Sequence, residues 1–196
     1  MQERKRKKVL PTALQFSHQL LKEIIQPGDH VIDATMGNGY DTTFLAEQVG
    51  EKGNVYAFDI QFQAISATLE KLSHQNLTSR VTMIQNRHEH RGEYLGKSEK
   101  IQAAIFNLGY LPKSDKHIIT QPETTIQALD ALCPHLAKGG RILLVSYYGH
   151  EGGYEELQRL EEYCQGLPQE NFQVLTYRFI NQKNQPPILF CIEKKA

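Results

Sequence analysis

Three stretches along the chain gather residue types that could bind and align a reactive ligand. They are Asp33-Ala34-Thr35-Met36-Gly37-Asn38-Gly39-Tyr40-Asp41, Asn107-Leu108-Gly109-Tyr110 and Tyr148-Gly149-His150. In the first, Gly37 and Gly39 let the backbone turn sharply and come close to a ligand, with the Asp33 carboxylate beside the turn. A dinucleotide loop of the form G-x-G-x-x-G would need glycine at position 42, which is Thr42. A ligand without a pyrophosphate suits the loop better, and an ordinary glycine-rich turn is the bland alternative. Asp59 lies 20 residues past Gly39. An acidic side chain at that distance can accept both hydroxyls of a ribose, and Ile60-Gln61 would then flank the base.

The first stretch is similar to the acidic-x-Gly-x-Gly-x-Gly loop of class I S-adenosylmethionine (SAM) methyltransferases, with Thr35 in place of the first glycine. That likeness puts Asp33 at the amino-acid end of the ligand, bonded directly or through water to its ammonium. The second stretch is similar to the [Asp/Asn/Ser]-Pro-Pro-aromatic site of amino-methyltransferases, with Leu108-Gly109 replacing the prolines. There Asn107 and the Leu108 carbonyl would hold a target nitrogen, and Tyr110 would stack on a base. An amine attacks only when neutral, so the neutral acceptor of Asn107 fits better than a carboxylate. His150 could accept a proton or contact a phosphate or base; a lone histidine is more often structural. His88 and His90 could line the adenine side or simply be solvated. Zinc-type Cys/His spacing, G-x-S-x-G and the P-loop are all missing from the sequence, so metal and hydrolase chemistry find no support.

The elements that must position these residues alternate. Apolar periodicity predicts helices over Thr12–Ile25, Tyr40–Val49, Gln61–His74, Thr120–Leu136 and Tyr154–Gln165. Strands are predicted over His30–Ala34, Asn54–Asp59, Val81–Gln85, Ile101–Asn107, Arg141–Tyr147, Phe172–Ile180 and Pro187–Glu193. Lys138-Gly139-Gly140 reads as the terminator of the fourth helix. Helical crossovers imply parallel pairing, whereas NQKNQP is too short for one and implies an antiparallel hairpin. The expected fold is α/β: a doubly wound, Rossmann-like, mostly parallel seven-stranded sheet ending in that hairpin. Ligands bind such sheets at the carboxyl ends of the strands, where every stretch above is placed. A fourth loop, Asn181-Gln182-Lys183-Asn184-Gln185-Pro186-Pro187, should lie close to the same face.

The 196 residues, 40% hydrophobic, suffice for one domain. Charges balance at 22 basic and 22 acidic, but five of the basic residues and one acidic fall in positions 1–8, leaving the rest at a net −4. Residues 1–11 therefore read as a basic arm, compatible with a polyanionic partner, and 12–196 as the domain. No apolar run approaches a membrane span, the basic start does not read as a secretory signal, and three scattered cysteines read as reduced buried thiols. The expected compartment is the cytoplasm.

DATMGNGYDT, FDIQ, NLGYLPKSDK, YYGHEGG and NQ…PP, in this order, resemble the MnmM-like bacterial family long labelled rRNA methylase, over about Thr12 to Glu193. The resemblance implies a SAM-dependent class I methyltransferase. It would convert 5-aminomethyl-2-thiouridine at the tRNA wobble position to the methylaminomethyl form, releasing S-adenosylhomocysteine (SAH) and using no metal. It implies tRNA, through its anticodon stem-loop, as partner. It also implies cofactor contacts at Asp33, Thr35, Gly37, Asn38, Gly39, Asp41, Thr42, Asp59, Gln61 and Asn107. Leu108, Gly109, Tyr110, Tyr148, Gly149 and His150 would surround the target nucleotide, with Asn107, Tyr110 and His150 as catalytic candidates. Alternatives are an rRNA base methyltransferase, a small-molecule methyltransferase and a non-catalytic RNA-binding module. Oligomeric state is not legible; a homodimer is one candidate. The basic arm is longer than the family's usual start, so its role is not inherited.

Overall fold

In the computed structural model, which describes residues 10–86, 99–109 and 122–196, successive side chains of the central strands go to opposite layers. Val31, Ile105, Leu143, Val145 and Leu189 enter one apolar cluster, while Ile32, Phe106, Ile142, Leu144 and Phe190 enter the other. A strand buried on both faces must read as a continuous apolar run, and these do.

The described elements are α1 (Ala13–Lys22), β1 (His30–Asp33), α2 (Tyr40–Val49), β2 (Asn54–Asp59), α3 (Phe62–His74), β3 (Val81–Gln85), β4 (Ile101–Leu108), α4 (Pro122–Leu132), β5 (Leu136–Ser146), α5 (Gly153–Gly166), β6 (Phe172–Tyr177) and β7 (Ile188–Lys194). The sheet order is β3-β2-β1-β4-β5-β7-β6. β1 to β5 pair in parallel, and β7 runs antiparallel to both β5 and β6. This is the predicted doubly wound sheet with its terminal hairpin. Leu20 and Leu21 of α1, Leu45 of α2 and Leu72 of α3 belong to the first cluster; Leu129 of α4 and Leu160 of α5 belong to the second. Cys133, Cys164 and Cys191 are buried free thiols, as expected, and burial pushes the last two up to about 12.

The fourth helix is the main departure. It is predicted to run to Leu136 but stops at Leu132, because Pro134 disfavours helical backbone in the residue before it and has no N–H to donate. β5 then begins at Leu136, and Lys138-Gly139-Gly140 lies inside it as a bulge: Ile101 faces Leu136, yet Ala103 already faces Arg141. Gly139 takes φ of 73°, so the glycine pair serves the bulge. Smaller differences are that Thr12 caps α1 from outside it, in a capping box with Gln15, and that β6 ends at Tyr177. Of the basic arm, 1–11, positions 1–9 lie outside the described residues.

Two polar side chains fasten α1 to the sheet. Arg141 of β5 donates to the Leu20 carbonyl (2.8 Å), to Glu23 (2.7 Å) and to Glu193 of β7 (2.6 Å). At the other end of the helix the Tyr177 hydroxyl donates to the Pro11 carbonyl at 2.8 Å. The Arg141 bond, aided by Gln173 and opposed by burial, holds the Glu193 carboxyl below its usual range. A depressed carboxyl stabilises the fold above its unfolded pKa and loses that contribution as pH falls through its folded pKa. Arg141→Met is therefore expected to cost about 1.5–3 kcal/mol in urea unfolding at neutral pH. Glu193→Gln should destabilise at pH 7 and become nearly neutral in acid; a penalty that did not shrink in acid would contradict this assignment.

Candidate active site

β1 delivers Asp33 to the carboxyl edge of the sheet with its carboxylate fully buried. A buried carboxylate needs donors, and two are built in. Oδ1 accepts from the Thr35 N–H at 3.1 Å, and Oδ2 from the Thr42 hydroxyl on α2 at 2.6 Å. Asp33 therefore organises the loop that the sequence analysis expects it to share with a ligand. Gly37 and Gly39 have positive φ of 50° and 74°. A Cβ on Gly39 would lie 2.6 Å from Thr68 Oγ1 on α3, and that hydroxyl donates to the Gly37 carbonyl at 3.2 Å. Glycine at position 39 is required twice, by its dihedral and by this close approach.

Asp59, at the end of β2, is half-buried. It accepts from the Gly37 N–H and the Gln61 N–H, each at 2.9 Å, so it joins the glycine loop to the start of α3. A carboxylate has about four acceptor positions, which leaves capacity for ribose hydroxyls. Exposed Tyr40, Ile60 and Phe62 stand near these turns, and Asn38 is exposed at the loop tip. The cradle, its short loop and the acidic strand end fit a nucleoside ligand carrying an amino-acid tail.

The end of β4 is tied to this loop. The Asn107 N–H donates to Thr35 Oγ1 at 2.7 Å, and its Nδ2 donates to Asp41 Oδ2. The other oxygen of Asp41 lies 2.5 Å from His18 Nε2 on α1. Asp41 is only 8% exposed, so both of its oxygens are engaged where water scarcely reaches. Asn107 Oδ1 is buried and has no hydrogen-bond partner among the described residues. An unmet buried acceptor costs about 1–3 kcal/mol, and at a strand end it marks a place for a donor. The Leu108 carbonyl, paired with Asn107 in the sequence analysis, already accepts the Tyr147 N–H at 2.9 Å.

The third stretch meets the second. A Cβ on Gly109, whose φ is 151°, would lie 3.2 Å from Tyr147 Cβ and 3.8 Å from His150 Nε2. His150 Nδ1 lies 2.9 Å from the Glu151 carbonyl; a carbonyl only accepts, so Nδ1 carries the proton and Nε2 is the acceptor of the neutral ring. Gln185 reaches the same loop, its Oε1 3.1 Å from a Cβ built on Gly149, so the last hairpin turn does join this edge. Tyr148 packs instead against the apolar cluster shared with α4 and α5. Burial, and then the charge of Asp41, raise the Tyr147 hydroxyl above the usual phenol range. Tyr110, His88 and His90 lie outside the described residues.

Sequence reasoning missed His18 and Tyr147. Tyr147 was legible, since alternation from Leu143 and Val145 carries it to the α1–α2 face, as alternation from Ile105 carries Asn107. His18 was not, because nothing local links position 18 to position 41. Among the described residues no cluster of His, Cys, Asp and Glu could hold a metal, and no helix is long and apolar enough to cross a membrane.

Residues 55–193 match the family model described as "Putative rRNA methylase". A chloroplastic Arabidopsis thaliana protein named tRNA (mnm5s2U34)-methyltransferase is 38% identical, the match covering 93% of this chain and 70% of that protein. A Clostridium thermocellum structure described as a "putative rRNA-methylase" superposes with a TM-score of 0.93 at 47% identity, covering 95% of this chain and all of that one. A Streptococcus mutans structure, described as "a putative methyltransferase" and solved in complex with SAH, gives 0.87 at 40% identity over 95% and 99% of the two chains. The chain has the class I methyltransferase fold.

Gly39→Ala should cost about 1–3 kcal/mol of unfolding free energy, from the left-handed φ and the Thr68 contact. Combined with Thr68→Ala, which removes the nearest atoms, the loss should be smaller than the sum of the two single changes. Strict additivity in urea melts would show that the close approach is not the cause.

Proposed function

The chain belongs to the rRNA methylase family, and on that premise we propose that it is a SAM-dependent methyltransferase acting on tRNA. It methylates the aminomethyl nitrogen of 5-aminomethyl-2-thiouridine at the wobble position of the anticodon stem-loop, giving the 5-methylaminomethyl form. One observation carries the choice of an amine: Asn107 turns its amide nitrogen to Asp41 and leaves its oxygen buried as an acceptor. The name of the Arabidopsis relative supports the same substrate.

SAM supplies a methyl group on a sulfonium, an electrophile that needs no metal. Every other part of the chemistry is alignment and proton management by the chain. Gly37, Gly39, Asp59 and Gln61 hold the nucleoside end, and the loop organised by Asp33, Thr35 and Thr42 receives the amino-acid end. Asn107 Oδ1 accepts one N–H of the substrate amine, which orients the nitrogen lone pair. A free alkylamine is largely protonated near neutral pH, and a site that offers acceptors while excluding water favours the neutral nucleophile. The Nε2 atom of His150, beside Gly109, is placed to receive the proton released as the new C–N bond forms. Gly149, Gln185 and Tyr147 bound the substrate side. Alignment of this kind can supply most of the acceleration without a covalent intermediate.

The deciding assay is single-turnover methylation of an anticodon stem-loop bearing 5-aminomethyl-2-thiouridine. Asn107→Ala should lower turnover by about 10²-fold, equivalent to about 2.7 kcal/mol of barrier. Asp59→Ala should weaken calorimetric SAM binding by about 1.5–3 kcal/mol. No methylation of this RNA by the wild-type enzyme, with methylation of ribosomal RNA instead, would move the assignment to the substrate in the family's label.

A further inference from the structure

The acceptor geometry of Asn107 is maintained from a distance. A primary amide can turn over and present either its oxygen or its NH2 group, and nothing in the chain of Asn107 itself chooses between them. Asp41 makes the choice. A carboxylate can only accept, so the amide must offer its nitrogen to Oδ2, and Oδ1 is then directed the other way. The selection is only as good as the placement of the carboxylate, and Asp41 Oδ1 is held by His18 Nε2 at 2.5 Å. The His18 ring is itself fixed: it stacks on Phe44, with ring centroids 4.0 Å apart and planes 2° from parallel. Its helix is fastened at both ends, by Tyr177 on the Pro11 carbonyl and by Arg141 on the Leu20 carbonyl.

We propose that His18 is a positioning residue for methyl transfer: through Asp41 it locks the Asn107 amide with its oxygen turned to the substrate amine. The proposal deepens the methyltransferase reading above and rests on it for the identity of the amine. Without His18, one oxygen of a nearly buried carboxylate loses its donor. The carboxylate is then free to rotate, and the amide it orders can present NH2 to the amine in place of an acceptor. His18 acts in this proposal through Asp41 and not on the reacting atoms. Its effect belongs to kcat and to the state of Asn107, while a simple fastening of α1 to α2 would show only in stability.

The test uses the full chain. His18→Leu keeps the packing on Phe44 and removes the donor; His18→Gln keeps a nitrogen donor at similar reach. In ¹⁵N-edited spectra of the ligand-free protein, the Asn107 side-chain amide, identified by its loss in Asn107→Ala, should lie downfield because it donates to a carboxylate. That shift is expected to be lost in His18→Leu and retained in His18→Gln. Single-turnover methylation at saturating SAM and RNA should fall about tenfold or more in His18→Leu and recover largely in His18→Gln. Calorimetric SAM affinity should stay within about twofold, and His18→Leu should add nothing to the loss already present in Asn107→Ala. An unmoved Asn107 resonance, unchanged turnover, or a loss that adds fully to that of Asn107→Ala would overturn the proposal. The resonance is read without substrate. Failure of the wild type to methylate aminomethyl-uridine RNA would therefore count against the proposed substrate, with the spectra still deciding the role of His18.

Discussion

A carboxylate with no access to water dictates the geometry of everything above the sheet. Asp33 is 0% exposed, and burying a charge without donors is prohibitive. Two of its donors, the Thr35 N–H and the Thr42 hydroxyl, fix the path of the loop and the rotation of α2. Once Thr42 faces the strand, its neighbour Asp41 is turned by about 100° around the helix. That places it between α1 and β4, where His18 and Asn107 meet it. The glycines then have only to let the loop close under Thr68.

The same parity governs the reacting side. Asp33, Asp59 and Asn107 each continue the set of strand residues that faces α1, α2 and α3, and Tyr147 continues it beyond β5. Residues of the opposite parity, Phe58, Phe106 and Leu108, are buried under α4 and α5 or between strands. Chemistry-bearing side chains therefore gather on one face of the strand ends without any long insertion to carry them. A one-residue slip in β4 would exchange Asn107 for Phe106 or Leu108 and abolish the acceptor.

Much of this was legible in the sequence because it is local. Tyr40–Val49 and Val81–Gln85 are bounded as periodicity predicts, and the glycine loop and Asp59 announce themselves by type and spacing. The errors are instructive. Lys138-Gly139-Gly140 resembles a helix terminator, but Pro134 had already stopped the helix, and the glycines serve a bulge whose need arises only from pairing with β4. Residue types alone point to Tyr148 in that loop, whereas the strand's parity points to Tyr147. The His18–Asp41 pair joins two helices separated by a strand, and no local rule reports it.

The fastening of α1 has a consequence for the order in which the molecule can be made. The hydroxyl that secures Pro11 belongs to Tyr177, 166 positions later, and the guanidinium that secures Leu20 lies 121 positions beyond it. During synthesis α1 emerges well before its dock, which is built from β5, β6 and β7. Contacts of such separation close late, after the loop entropy between them has been overcome. The glycine cradle, made of neighbouring segments, can therefore form on the growing chain well before the His18 helix is seated. A ribosome-bound intermediate would then hold the loop packed under Thr68 while the Asn107 amide still waits for the His18–Asp41 pair to be completed.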